Sequence, residues 1–149
     1  MVTQDRPAII DSLLSLPFPG ERTEQRTRDG YHLSGPGYHV YALHATQDFW
    51  DDRSEEIVEA AEKEVDAILR ALVAALTTRW GTPEAIDLVP YLWAEDPAPE
   101  PMNQLSGLSS EMLVWQRPDA GRWVGLAVGQ QDAEFPIEVL AAVAETPMP

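Results

Sequence analysis

One stretch of the chain constrains the fold more than any other. Residues 51–81 read DDRSEEIVEAAEKEVDAILRALVAALTTRWG, and apolar side chains recur there with the period of an α-helix. One helical face collects Ile57, Ala61, Val65, Ile68, Leu72 and Leu76, and its margin carries Val58, Leu69, Val73 and Trp80. This apolar arc is wider than the stripe that a one-sided surface helix needs. The pattern therefore predicts a long helix that packs on a sheet and whose second half also contacts the N-terminal helix or a second subunit.

The two ends of this helix carry sequence signals. Asp52 is predicted to accept a hydrogen bond from the amide of Glu55, and Glu55 to reach back, which makes a capping box. Gly81 suits the left-handed conformation that ends many helices, and the following Thr82-Pro83 blocks continuation. About 27 helical residues at about 1.5 Å each give a rod of roughly 40 Å, which can cover a small sheet.

The sequence before the long helix predicts a short helix and several strands. Residues 6–16 carry a proline in the first turn and an apolar stripe, which favours a helix. Residues 23–28, TEQRTR, are predicted to form an exposed edge strand that turns at Asp29-Gly30. The Ser34-Gly35-Pro36-Gly37 segment indicates a bulge or a turn, and residues 38–45, YHVYALHA, are predicted to form a strand.

The sequence after the long helix predicts mainly strands. Residues 85–93 favour a strand in which the proline marks an edge, a bulge or the strand's end. Residues 94–110 are typical of a mobile proline-rich loop. Residues 111–117 and 122–129 form the clearest hairpin. Residues 135–145 fit a helix or a last strand, and we favour a strand because it would protect the hairpin's edge.

The second strand of this hairpin has one face made largely of small residues. Gly125, Ala127 and Gly129 alternate along it with larger side chains. Small residues allow a large element to approach closely, and the long helix is the simplest candidate. The floor of a ligand pocket is the alternative.

Together these elements predict one α+β domain over residues 1–149. The predicted architecture is a two-layer sandwich, in which an antiparallel sheet of about four to six strands packs under one long central helix. The short N-terminal helix is expected to lie alongside the long one. A chain of 149 residues is long enough to bury one sizeable core.

Composition narrows the possible functions. The chain has no cysteine, which excludes disulfides and thiolate chemistry. Its net charge of −15 disfavours binding to nucleic acid and to anionic membranes, because these polyanions repel it. No basic region precedes an apolar core at the N-terminus, and no apolar run reaches about 18 residues, the length of a membrane span. We therefore expect a soluble cytoplasmic protein.

Negative charge is concentrated around the start of the long helix. Residues 48–66 hold nine acidic and two basic residues, and nine minus two gives −7 of the total of −15. This stretch is either a solvated face that aids solubility or a docking surface for a basic protein partner. The docking hypothesis assigns partner binding to Trp50, Asp51, Asp52, Glu56, Glu59 and Asp66. Trp50 is either part of a hydrophobic staple with Phe49 or an aromatic anchor that faces the partner.

A ligand pocket between the long helix and the sheet is the alternative site. Its candidate lining consists of Tyr38, Tyr41, His44, Trp115 and Trp123. The histidines lack the spacing of metal ligands, and a continuous strand would place His39 and His44 on opposite faces. The sequence therefore predicts no metal, no cofactor and no catalytic residue.

Three function classes remain open from the sequence. The first is a small acidic non-enzymatic interaction protein, such as a chaperone, immunity protein or inhibitor, that binds a basic or apolar surface of a protein partner. The element order and the acidity resemble those of type III secretion-type chaperones, and no motif carries this likeness. The second class is a small-molecule binding module or enzyme with a pocket between helix and sheet. The third is a homodimer joined through the second half of the helix or the hairpin edge.

Overall fold

The structure is a computed structural model, and it describes residues 6–28, 30–117 and 119–145. Its helices are α1 (Arg6–Ser15), α2 (Glu55–Trp80), α3 (Val89–Leu92) and α4 (Met102–Ser106). Its strands are β1 (Thr23–Thr27), β2 (Gly30–Gly35), β3 (Tyr38–Ala45), β4 (Glu84–Asp87), β5 (Glu111–Arg117), β6 (Arg122–Gly129) and β7 (Glu138–Glu145). None of the helices in these ranges combines the length and the apolar character that crossing a bilayer requires.

The seven described strands form one antiparallel sheet in the order β1-β2-β3-β7-β6-β5-β4. This confirms the α+β class, the long helix and the short N-terminal helix, but the sheet has more strands than the predicted four to six. β7 pairs with β3 on one side and β6 on the other, so this last strand joins the two halves of the sheet. Its residues 139–144 are all buried, which explains why their sequence pattern fits a helix as well as a strand.

Helices α1 and α2 cover one face of the sheet. The buried residues of α2 are Ala61, Val65, Leu72 and Leu76. They share a core with apolar side chains of β6 and β7, and Ile10 and Leu13 of α1 join this core. Asp11 of α1 also pairs with Arg79 of α2, with 2.7 Å between Oδ1 and Nη2. The expectation that the N-terminal helix lies beside the long helix is confirmed.

The segment between β4 and β5 covers the opposite face of the sheet. Met102 and Leu105 of α4 are fully buried there and share a second core with residues of β2, β3, β6 and β7. Residues 94–110, expected to form a mobile loop, therefore include a helix that packs on the sheet. The sheet is covered on both faces, whereas a two-layer sandwich covers only one.

The small residues of β6 face this second layer. Val124 and Leu126 belong to the core under α1 and α2, whereas Ala127 belongs to the core on the opposite face. A Cβ atom on Gly125 would collide with Sδ of Met112, which lies in the neighbouring strand β5. The prediction that the small face of β6 contacts the long helix is therefore wrong, because this face lies in the opposite core, where Met112 fills the space at Gly125 and Leu140 and Leu108 fill the space at Gly129.

Helix α2 ends as predicted but begins differently. Gly81 has a φ of 90°, and its N–H donates to the carbonyl of Thr77 at 2.9 Å. At the other end, Ser54 is the N-cap residue and makes no side-chain capping hydrogen bond. The carboxylate of Asp52 accepts the N–H of Ser54 at 2.9 Å. The predicted capping box with Glu55 is wrong because the turn before the helix already uses this carboxylate.

The region predicted as one strand over residues 85–93 is divided between β4 and α3. Oδ1 of Asp87 accepts the N–H of Val89 at 3.0 Å, which turns the chain after β4. Pro90 then suits the first helical turn, because its fixed φ is helical and its missing N–H is not needed there. The sequence predicts that this proline marks an edge, a bulge or the end of a strand. It follows the end of β4, and β4 is an edge strand.

Short connections join the first three strands. Gly30 pairs with Thr27 as the first residue of β2, so its predicted place in the turn is wrong, and Asp29 lies outside the described residues. Pro36-Gly37 connects β2 to β3, and Gly37 takes a φ of 83°, which glycine tolerates without strain. This confirms the turn predicted there. β1 is the exposed edge strand that the sequence predicts.

Candidate interaction surface

A row of carboxylates runs along one side of α2. Glu55, Glu59, Glu62 and Asp66 follow one another at helical spacing, and all four are exposed. We call these four residues the acidic stripe. Asp66 pairs with Arg70, with 2.9 Å between Oδ2 and Nε, and the other three form no ion pair with any residue that the structure describes. The stripe therefore presents negative charge that the described part of the chain leaves largely uncompensated.

A groove lies beside the acidic stripe, between α2 and the end of the sheet. We call this hollow of about 520 Å³ the helix groove. It is lined by Glu62, Val65, Asp66, Leu69, Leu108, Ser109, Ser110, Val128, Gly129, Gln130 and Ile137. Its apolar floor comes from the helix and from the sheet side. Leu69 belongs to α2, Val128 belongs to β6, and Ile137 lies directly before β7. Two residues of the acidic stripe, Glu62 and Asp66, stand at its rim.

The groove is open because α1 packs on the other side of α2. Arg79, which pairs with Asp11 of α1, lies about 80° around the helix axis from Leu69. On the groove side, Trp80 packs edge-on against Trp115 of β5, with 6.3 Å between the ring centroids. The sequence predicts that the margin of α2 with Leu69 and Trp80 makes a second contact. β5 makes this contact at Trp80, whereas Leu69 faces the open groove.

The predicted partner-binding residues do not form one continuous surface. Glu59 and Asp66 belong to the acidic stripe, whereas Glu56 lies about 60° further around α2 from Glu59 and is exposed on its outer side. Asp51 and Asp52 precede the helix and are also exposed. These residues are close in the sequence, but the turn of the helix places Glu56 on a different side of α2 from Glu59 and Asp66.

Trp50 is an exposed aromatic residue next to a buried one. Its neighbour Phe49 is fully buried in the core under α2, whereas 60% of Trp50 is exposed. The Trp50 ring meets the ring of Phe135 edge-on, with 5.4 Å between the centroids. Arg53 pairs with Glu134 at 3.1 Å between Nη1 and Oε1, which ties this loop to the segment before β7. Phe49 therefore supplies the buried contact here, and Trp50 remains available to a partner.

The five residues predicted to line one pocket lie on both faces of the sheet. Tyr41 and Trp115 belong to the core under α1 and α2, and His44 lies on the same face, where it contacts Arg6 of α1 and Glu64 of α2. Tyr38 and Trp123 belong to the opposite core. The prediction of one pocket lined by all five is wrong, because the sheet itself separates them.

A β-bulge in β3 changes the expected positions of two histidines. Ala42 pairs with Leu140 and His44 pairs with the adjacent Val139, so Leu43 is an extra residue in β3. His39 and His44 therefore lie on the same face, and the prediction of opposite faces is wrong. Nε2 of His44 lies 2.5 Å from a carboxylate oxygen of Glu64.

The other two histidines form a hydrogen-bonded pair near the end of α1. Nε2 of His32 lies 3.1 Å from Nδ1 of His39, and Nε2 of His39 lies 3.2 Å from the carbonyl oxygen of Leu16. Burial lowers the pKa of both imidazoles below the usual value, and the positive charge of Arg122 lowers that of His39 further. Among the described residues, no group of three or more His, Asp or Glu side chains is arranged to hold a metal ion.

A second hollow lies at the β1–β2 end of the sheet, on the face covered by α4. We call this hollow of about 500 Å³ the edge cavity. It is lined by Glu24, Tyr31, Leu33, Asn103, Gln104, Gly107, Leu108, Gln131, Phe135, Pro136 and Glu138. Oη of Tyr31 donates to Oε1 of Glu138 at 3.3 Å. Burial raises the pKa of both groups above the usual values, because water is removed from their charged forms.

Sequence reasoning missed both hollows. The one sequence signal for the edge cavity is Glu138, an acid followed by six apolar residues in β7. Such an acid becomes half-buried when its strand lies in the middle of a sheet. The helix groove combines α2 with residues 108–110 and 128–137, and no local pattern brings these segments together.

Comparison with known proteins adds no relative: no family model matches the chain, and neither the curated proteins nor the solved structures yield a significant match.

Proposed function

We propose that this chain is a small acidic, non-enzymatic interaction protein that binds a basic, amphipathic segment of a protein partner in the helix groove. The observation that carries the proposal is the position of the acidic stripe along the rim of a groove with an apolar floor. Such a protein would act in the manner of a chaperone, immunity protein or inhibitor, and we expect it to do so in the cytoplasm.

The two parts of the site have different physical roles. Carboxylates that have no cation beside them attract a basic segment over several ångströms and raise its rate of association. The partly exposed apolar side chains Leu69, Leu108 and Val128 then supply the contact area that is removed from water. A segment with basic residues along one side and apolar residues along the other satisfies both parts at once.

Trp50 and its acidic neighbours are a second contact in this proposal. Exposed tryptophan is favoured as an anchor at protein interfaces, because it buries a large area with few rotatable bonds. Asp51 and Asp52 add negative charge beside it. The Trp50 ring contacts Phe135, which lines the edge cavity and precedes Ile137 of the helix groove by two residues.

A second copy of the chain is a less suitable occupant of the groove. Each copy carries a net charge of −15, so two acidic stripes would repel each other on approach. We therefore propose a basic partner in preference to a homodimer.

Affinity capture with matched charge variants tests the proposal. The test variant carries Glu59→Lys, Glu62→Lys and Asp66→Lys, and the control carries Glu21→Lys, Glu84→Lys and Glu95→Lys at exposed sites away from the groove. Both variants change the net charge equally. A protein that the wild type and the control retain, and that the test variant loses, supports the helix groove as its site. Retention by the test variant, or equal loss from both variants, would overturn the proposal.

A further inference from the structure

The edge cavity has the size of a small-molecule site. Its volume of about 500 Å³ falls in the range of about 300–1,000 Å³ that such sites occupy. Its walls come from three separate parts of the chain: the β1–β2 hairpin, α4 and the segment from Gln131 to Glu138. The edge cavity and the helix groove share Leu108 in their linings, but Glu138 lines only the cavity and Asp66 only the groove, so substitutions at these two residues test the two hollows separately.

The charged groups of the cavity are both acidic. Glu24 and Glu138 line it, and none of the other described lining residues is Lys, Arg or His. The hydrogen-bond partner of Glu138 is the neutral phenol of Tyr31. Arg22 directly precedes β1 and Arg26 lies on it with Glu24, but neither arginine lines the cavity or forms an ion pair with a described carboxylate. A half-buried carboxylate without a cation is an unfavourable arrangement, and a bound cation would relieve it.

The remaining lining suits the body of an organic cation. Leu33, Leu108 and Phe135 provide apolar contact area. Tyr31 and Phe135 also line the cavity, and aromatic rings attract cations. An anion would be repelled by both glutamates, and an uncharged apolar molecule would leave Glu138 without a counter-charge.

We propose that the edge cavity binds a small organic ammonium compound, with its charged nitrogen at Glu138 and its apolar body against Leu33, Leu108 and Phe135. Tyr31 positions the carboxylate through its hydrogen bond. The ammonium group can belong to a free amine or to a lysine side chain.

Isotope-edited NMR titration of the full chain tests this proposal with three probes. The probes are 2-phenylethylamine, the uncharged 2-phenylethanol, and lysine blocked at both its α-amino and carboxyl groups. We expect the amine to shift the signals of Tyr31 and Glu138, and the alcohol to bind at least about tenfold more weakly, because it lacks the charge. Tighter binding of the blocked lysine than of the amine assigns the site to a protein side chain, and the reverse order assigns it to a free amine. Equal binding of alcohol and amine, or no binding of either cation, overturns the proposal.

Two variants locate the bound charge. Glu138→Gln keeps the shape of the side chain and removes its charge, so we expect amine affinity to fall about tenfold or more. Glu84→Gln is the control, because Glu84 is exposed in β4 at the other edge of the sheet. Unchanged affinity in Glu138→Gln overturns the assignment. If that variant does not fold, the carboxyl pKa of Glu138 in the wild type answers the question: a bound ammonium group lowers it, and an unchanged value contradicts the proposal.

Discussion

Nε2 of His32 lies 3.1 Å from Nδ1 of His39, so one hydrogen atom between the two imidazoles satisfies both nitrogens. His39 is almost fully buried and its other nitrogen faces the carbonyl oxygen of Leu16. Charging both imidazoles would place two N–H groups opposite each other, so the pair holds at most one positive charge without losing this hydrogen bond. Burial favours the neutral form of both rings, and the pair connects β2 and β3 to the end of α1.

Acidification should weaken the fold through this pair. Burial lowers the pKa of His32 and His39 in the folded chain, so the unfolded chain binds protons more readily. The stabilisation is complete above the unfolded pKa of about 6.5 and is lost as the pH falls below it towards the lowered folded values. Chemical denaturation between about pH 7 and 5.5 should show a decreasing free energy of unfolding. The double variant His32→Gln/His39→Gln should show a smaller decrease over this interval, and an identical decrease would contradict this account.

The second layer of the fold should contribute to stability through α4. Leu105 is fully buried, and Leu105→Ala should lower the free energy of unfolding by about 2–5 kcal/mol, because it leaves a cavity in a packed core. Leu92→Ala is the control, since 49% of Leu92 is exposed, and it should change stability by less than about 1 kcal/mol. Similar small effects of both substitutions would mean that residues 94–110 behave as the mobile loop expected from the sequence.

Gly125 should not tolerate a larger residue. A methyl group there would collide with Met112, which is itself buried, so Gly125→Ala should destabilise the fold by about 1–3 kcal/mol. Gly20→Ala serves as the control, because a Cβ atom at Gly20 meets nothing within 4 Å. Thermal unfolding of the two variants measures the difference. If Gly125→Ala unfolds at the wild-type temperature, the close packing of Met112 against Gly125 is wrong.

Partner binding should depend on salt through the acidic stripe. Salt screens exposed charges over about 10 Å or less at 0.1 M and above, so the complex should weaken as ionic strength rises. Glu59→Gln/Glu62→Gln should lower the salt concentration at which the partner elutes, because two carboxylates of the stripe are lost. Glu84→Gln/Glu95→Gln removes the same charge elsewhere and should elute like the wild type. Elution at the same salt concentration from all three proteins would show that the stripe does not contribute.

The sequence predicts the elements of this fold better than their arrangement. The period of residues 51–81 gives the long helix, and the alternation in residues 111–117 and 122–129 gives β5 and β6 with the bounds that the structure shows. These patterns are local, so one chain segment contains the whole signal. The position of β7 between β3 and β6 is set by contacts that no segment carries alone.

The candidate sites were less predictable for the same reason. The bulge at Leu43 reverses the face of His44, because one inserted residue changes the side to which all later side chains point. Charge density in the sequence singles out the start of α2, but only the structure places Glu62 and Asp66 beside Leu69 and Val128. The half-burial of Glu138 and its hydrogen bond with Tyr31 depend on strand pairing, which the sequence does not show.

Site-specific photocrosslinking in native lysate tests the central claim most directly. A photoreactive amino acid replaces Leu69 in the helix groove or, as the control, Ala71 on the exposed outer side of α2. The account predicts that position 69 crosslinks a basic protein, that position 71 gives little of this product, and that Glu59→Lys/Asp66→Lys abolishes it. Equal crosslinking of that protein from both positions, or crosslinking from position 69 that the charge reversal leaves unchanged, would contradict binding in the helix groove.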